Sequence, residues 1–253
     1  MGCQTQNVAI ISNMANETRH RPRLTPKGER TRARIVAAAA ALIYERGAAG
    51  TTLDDVRTAA EVSGSQLSHY FAGKDELVQA VIDHQADVIV GNQEQADLGT
   101  AEGIRAWRDM VIAAARSAGG KGGCPLGSLG GQLAETDPEA RALIAAGFAR
   151  WSSAIGDGLR SLQSAGHLPA GVTPDDLAIT LLAALQGGLL LAQVQRDTRP
   201  LETAVDTILA LAATPVSLPG TTAAAARGRH RGQTTVAAEA KPPFVRDNSK
   251  DLH

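Results

Sequence analysis

The chain has 253 residues, and its 25 basic and 26 acidic side chains leave a net charge of −1, so overall charge does not mark a polyanion-binding protein. Hydrophobic residues make up 43% and aromatics only 3%; alanine fills much of the gap, and alanine is the strongest helix former. Two cysteines, Cys3 and Cys124, exclude a disulfide framework or a cysteine zinc site. The nearest approach to a membrane span, Leu177 to Ala192, is interrupted by Thr180, Gln186, Gly187 and Gly188, which leaves a soluble cytoplasmic protein without a membrane partner as the expectation.

In chain order, residues 1–24 mix Asn, Thr, Arg and Pro without apolar periodicity and read as a disordered arm. A first helix is predicted from Gly28 to Arg46, with Ile35, Ala38, Ala39, Leu42 and Ile43 on one stripe and Gly47 ending it. Thr51 or Thr52 then caps a short helix from Leu53 to Ala60. Val62-Ser63-Gly64 reads as a turn, and Ser65 to Phe71 as a third, two-turn helix. After Gly73 a long helix opens at Lys74 and carries Leu77, Val78, Val81, Ile82 and Ile89.

Thr100 to Ser117 is the next predicted helix, with Ile104, Trp107, Val111 and Ala114 on one side. A glycine-rich break at 119–123 precedes a shorter segment from Leu126 to Ala134. Asp137-Pro138-Glu139 is an N-cap, a first-turn proline and a first-turn acid, and starts a helix to about Gln163. Thr173-Pro174-Asp175-Asp176 repeats that signal for a helix from Leu177 to about Gln195, and Pro200 begins the last one, to Ala213. Residues 214–253, rich in Gly, Pro, Thr and Ala, read as a disordered tail. No period-2 alternation occurs, so the predicted fold is all-α with about nine helices: a head at 25–73 and a helical body at 74–213.

Two short helices separated by a three-residue turn containing Gly are the outline of a helix-turn-helix. Ala59 and Ala60 allow the helices to approach, Val62 and Leu67 close the core beneath, and Gly64, Ser65, Gln66, Ser68 and His69 are left on the outer side. These residues are small or hydrogen-bonding, as entry into a major groove requires; Gln66 is the candidate for a bidentate contact to adenine. Seven Lys or Arg and one acid lie between Arg19 and Arg34, while the body from 99 to 213 holds nine basic and eleven acidic residues. Positive charge therefore gathers beside the helix-turn-helix, where double-stranded DNA would need it. Tyr70 and Lys74 are candidates for further phosphate contacts, the latter at a helix N-terminus.

Thr31-Arg32-Ala33-Arg34-Ile35, Glu45-Arg46-Gly47, Thr51-Thr52-Leu53-Asp54-Asp55-Val56, Leu67-Ser68-His69-Tyr70-Phe71 and Gly73-Lys74-Asp75-Glu76-Leu77 together resemble the DNA-binding domain of TetR family transcriptional regulators over residues 28–82. The resemblance implies a homodimer that binds operator DNA and is released by a ligand, with DNA contacts at Thr52, Gly64, Ser65, Gln66, His69, Tyr70 and Lys74. Two positions depart from the pattern: Glu61 stands where the family usually places Gly, and Ser68 replaces a common Tyr. Gly123-Cys124-Pro125-Leu126-Gly127-Ser128-Leu129 and Ala146-Gly147-Phe148-Ala149-Arg150-Trp151 are similar to the LmrA/YxaF-like branch.

In the body, Trp107, Met110, Phe148 and Trp151 are candidates to line a small-molecule cavity, or to be plain core. Gln186, inside an apolar helix, needs a partner from a ligand, a neighbouring helix or a second subunit. The six histidines show no metal-ligand spacing and no catalytic constellation appears, so neither an enzyme nor a cofactor is expected. The reading is a ligand-responsive regulator, with a repressor of a palindromic operator as its form. A DNA-positioning protein of the same fold, without an inducer, is the alternative.

Overall fold

Four helices of the computed structural model begin in the same way. Each has proline in its first turn, preceded by a side chain that accepts from the exposed N–H groups beyond it: Thr25, Cys124, Asp137 and Thr173. Proline loses nothing there, because its missing N–H would have had no intrahelical partner. The structure describes residues 24–168 and 171–213; the predicted arm and tail lie outside the described residues.

Among the described residues there are nine helices and no strand: α1 (Pro26–Arg46), α2 (Leu53–Ala59), α3 (Gly64–Tyr70), α4 (Lys74–Glu94), α5 (Ala101–Ser117), α6 (Pro125–Leu133), α7 (Pro138–Ser164), α8 (Pro174–Gln195) and α9 (Arg199–Ala213). The fold is all-α. Helix α1 starts two residues before Gly28 because Thr25 and Pro26 form its cap and first turn. Helix α4 runs one turn past Val90, the continuation burying Gln93.

α1 lays Ile35, Val36, Ala39 and Ile43 against the head core, where Val56, Ala60, Val62, Leu67 and Phe71 meet them. Of the two alanines expected between the short helices, Ala60 is buried and Ala59 exposed. Adjacent residues of a helix point about 100° apart, so one of the pair faces out; just after α2 the chain turns at Glu61, which takes φ 51°, the left-handed conformation that disfavours side chains with a Cβ. On α5 the buried stripe is Trp107, Ile112 and Ala115, with Ile104 and Val111 at its edge and Ala114 exposed.

The body packs α7 against α4 and α8, and α8 against α9. Gly188 makes the last contact possible: a Cβ there would lie 2.7 Å from Leu201 Cα. Gly187, in contrast, faces open space. α5 is tied to α9 by two arginines. Arg108 donates to both Asp206 oxygens, at 2.7 and 2.6 Å, and Arg116 donates from Nε to Glu202 at 3.0 Å.

α8 is long and apolar enough by length and composition to cross a membrane. Leu177, Ala178, Leu181, Leu182 and Leu185 are nonetheless buried within the protein. Ile179, Leu190, Leu191 and Val194 remain exposed, and Ile179, Ala183, Gly187, Leu190 and Val194 follow helical spacing along one outer face.

Two glycine substitutions should act with opposite sign. Glu61→Gly relieves the left-handed strain and is expected to stabilise the head by about 1 kcal/mol. Gly188→Ala forces backbone apart at the α8–α9 crossing and is expected to cost about 1–3 kcal/mol. Thermal unfolding of the two variants beside the parent protein checks both.

Candidate nucleic-acid interface and effector cavities

At seven residues each, α2 and α3 fall well below the length at which a helix holds itself in water. Each is closed at its start by a reciprocal capping box. Thr52 Oγ1 accepts from Asp55 N at 3.1 Å, and Thr52 N donates back to Asp55 Oδ2 at 3.0 Å. In α3, Ser63 Oγ accepts from Gln66 N at 3.1 Å, and Ser63 N donates to Gln66 Oε1 at 2.9 Å. Thr52, the later of the two threonines considered from sequence, is thus the cap. Thr51 is instead buried, donating to Gly47 O at 2.9 Å.

The boxes aim the outer face of α3. Gly64, Ser65, Gln66, Ser68 and His69 are all exposed, while Leu67 holds the helix to the core. Gln66 holds the cap through its carbonyl oxygen, which leaves its amide nitrogen outside the box. Ser68 Oγ is turned back to Gly64 O at 3.0 Å, so the hydroxyl that replaces the usual tyrosine satisfies its own helix. His69 and Tyr70 meet edge to face, with ring centroids 5.0 Å apart. Tyr70 is half-buried, and a Cβ on Gly28 would lie 3.5 Å from its hydroxyl, which sets it beside the first turn of α1. Lys27, Arg30 and Arg34 are exposed along that same helix. Lys74, at the start of α4, donates to Ala49 O at 3.4 Å, so its ammonium sits over the α1–α2 turn.

In the body the five candidate ligand residues separate. Met110 and Trp151 line a cavity of about 320 Å³ between α5, α7 and α8, together with Tyr44, Asn92, Lys121 and Leu185. Phe148 and Gln186 line a second, of about 590 Å³, between α6, α7 and α8, with Cys124 and Ser128. Phe148 stacks parallel to Trp151, centroids 6.4 Å apart, between the two spaces. Trp107 is buried in the core and lines neither cavity. Gln186 Nε2 is buried with no hydrogen-bond partner among the described residues; so is Gln93 Nε2, although Gln93 Oε1 accepts from Trp151 Nε1 at 3.2 Å. Tyr44 and Gln93 were missed from sequence, because each belongs to a helix read for its apolar stripe. Among the described residues, no three His, Cys, Asp or Glu side chains gather as metal ligands.

Two family profiles match the chain: residues 35–81 fit "Bacterial regulatory proteins, tetR family", and residues 100–208 fit "Tetracyclin repressor-like, C-terminal domain". Together they span more than half of its length. The second match is to that domain class and does not extend to the LmrA/YxaF-like branch. An uncharacterised HTH-type transcriptional regulator of Mycobacterium tuberculosis is 29% identical over 180 residues, 68% of this chain and 88% of the relative. The transcriptional regulator AcuR of Cereibacter sphaeroides is 25% identical over 187 residues, 72% of this chain and 85% of the relative. The reduced form of E. coli NemR has the same fold, with a TM-score of 0.65 at 21% identity over 74% of this chain and all of that one.

The α2 cap carries a pH signature. Hydrogen bonds from the Thr52 side chain and backbone, aided by the charge of Arg46, hold the Asp55 carboxyl below its ordinary value of 3.8. A group lowered in this way contributes stability above its unfolded value and loses it as the pH falls through the folded one. In an NMR acid titration Asp55 is expected to protonate below the ordinary value of 3.8. Thr52→Ala should return it toward the ordinary value and, through the lost cap, cost the head about 1 kcal/mol.

Proposed function

The chain belongs to the TetR family of helix-turn-helix transcriptional regulators, and we propose that it is a repressor released from a palindromic operator by a small hydrophobic molecule. Its relatives are DNA-binding regulators rather than enzymes, and members of the family bind operator DNA as dimers. The observation that carries the reading is the outer face of α3: five exposed small or polar residues on a helix locked by its own capping box, beside the exposed cations of α1.

In this reading α3 enters the major groove. Gln66 Nε2, Ser65 and His69 meet base edges, while Thr52, Tyr70, Lys74 and the N-terminus of α4 meet phosphates. Gly64 lets the groove wall approach, and Ser68 contributes only shape, since its hydroxyl is spent within α3. The apolar outer face of α8, with α9, pairs with the same face of a second copy. Covering Leu190, Leu191 and Val194 is favourable at roughly 25 cal/mol per Å² of apolar surface. The pair would present two α3 helices to successive major grooves, about 34–36 Å apart or a multiple of it. The effector would occupy the cavity lined by Met110 and Trp151, whose volume suits a small molecule, with the neighbouring Phe148–Gln186 space offering one unfilled donor. Like its family, the protein would act in the cytoplasm.

Retention of genomic fragments on the purified protein, with sequencing and a salt titration, tests the DNA reading. A palindromic site near a promoter is expected; retention without a motif would instead favour the positioning protein. Lys74→Ala should weaken all sequences alike and reduce the salt slope by about 1, while Gln66→Ala should blur sequence preference. Val194→Glu should split the dimer in sedimentation and abolish tight operator binding with the head still folded.

The effector is sought by screening apolar small molecules against Trp107→Phe protein, in which Trp151 is the remaining tryptophan. Ligands that quench it are expected to lower operator affinity. Quenching ligands that leave operator affinity unchanged would sink the release mechanism.

A further inference from the structure

The turn between α1 and α2 carries Ala48, a buried residue. Its N–H donates to Gln132 Oε1 at 2.8 Å, across 84 residues of sequence. Gln132 stands on the last turn of α6, in the body, and its Nε2 donates to Ser128 Oγ at 3.1 Å. Ser128 in turn lines the cavity between α6, α7 and α8. Gly47, with φ 79°, makes the approach possible: a Cβ there would lie 2.9 Å from Gln132 Oε1. One amide thus bridges a cavity-lining helix and the turn that leads into the capping box of α2.

We infer that Gln132 is a positioning residue for DNA recognition, bolting the head to α6 so that the two heads of a dimer keep one spacing. The inference rests on the proposed operator-binding dimer. α1 and α4 join head and body by apolar packing, which resists separation but tolerates small rotations. A hydrogen bond to a buried N–H is directional and fixes the remaining angle. The consequence is specific. Loss of the bolt leaves each head folded and able to hold one half-site, but spreads the distances between two heads, so the palindrome suffers and the half-site does not. A cavity occupant that shifts Ser128 would act on the same bond.

Two variants separate the role from simple stability. Gln132→Met keeps the bulk and removes both bonds; Gln132→Glu keeps an acceptor for Ala48 N. Affinities for the palindrome found by fragment retention and for a single half-site are measured for each, with amide hydrogen exchange at Ala48. In the parent protein the Ala48 amide is expected to exchange more slowly than that of its exposed neighbour Ala49. Q132M should abolish that protection and reduce the ratio of palindrome to half-site affinity by about fivefold or more, the scale of a typical coupling between sites. Q132E should restore both protection and ratio, whatever its added charge does to overall affinity. Equal losses on both DNAs, or an unchanged ratio, would overturn the inference, as would an unprotected Ala48 in the parent protein. If the parent binds no DNA, the functional reading fails, and exchange at Ala48 in the three proteins still decides whether the bolt exists.

Discussion

Helix α4 belongs to two cores at once, and the rest of the molecule is arranged around that sharing. Its first turns bury Leu77, Val78, Val81 and Ile82 with the head, and its later turns bury Ala86, Val90 and Gln93 toward α7. A rigid rod packed at both ends cannot shift at one end without disturbing the other, because close-packed interiors transmit displacement rather than absorb it. The placement of α3 is therefore a property of head and body together, although the helix itself is seven residues long.

The head meets this constraint with hydrogen bonds rather than mass. Its two short helices bury a single large side chain each, Val56 and Leu67, and depend on capping boxes that spend polar side chains locally. The economy has a cost for recognition. Gln66 commits its amide oxygen to the cap, and Ser68 gives its hydroxyl to Gly64. Phe71 adds a buried aromatic anchor beneath, with the Arg32 guanidinium 5.2 Å from the centre of its ring.

The body is built on closeness instead. With aromatics so scarce, alanine and glycine let helix backbones approach, most clearly where Gly188 admits Leu201. Gly122 does the same for the α5–α6 loop: it has φ 85°, and any side chain there would collide with the Tyr44 ring, so α1 of the head touches the loop of the body directly. What this packing leaves over is informative. Cavities remain on both sides of the Phe148–Trp151 stack, and an apolar face remains on α8.

The sequence by itself determined the helices, their starts to within three residues and the outward face of α3. These follow from local chemistry: proline and cap residues act within one turn, and the spacing of Val62 and Leu67 fixes which side of a short helix must face inward. Asp137 and Thr173 were legible as start signals, and Thr52 as one of two candidates, because their partners lie within three residues; Ser63, read as part of a turn, became a cap only in the folded chain. Tertiary structure decided what local pattern does not encode. It divided Met110 and Trp151 from Phe148 and Gln186, and buried Trp107, since period alone does not say which neighbouring helix a stripe will meet. It distinguished Gly187 from Gly188, adjacent residues that a helix turns about 100° apart. And it brought Gln132 to Ala48, a pairing between a short helix and a distant turn that no spacing in the sequence announces.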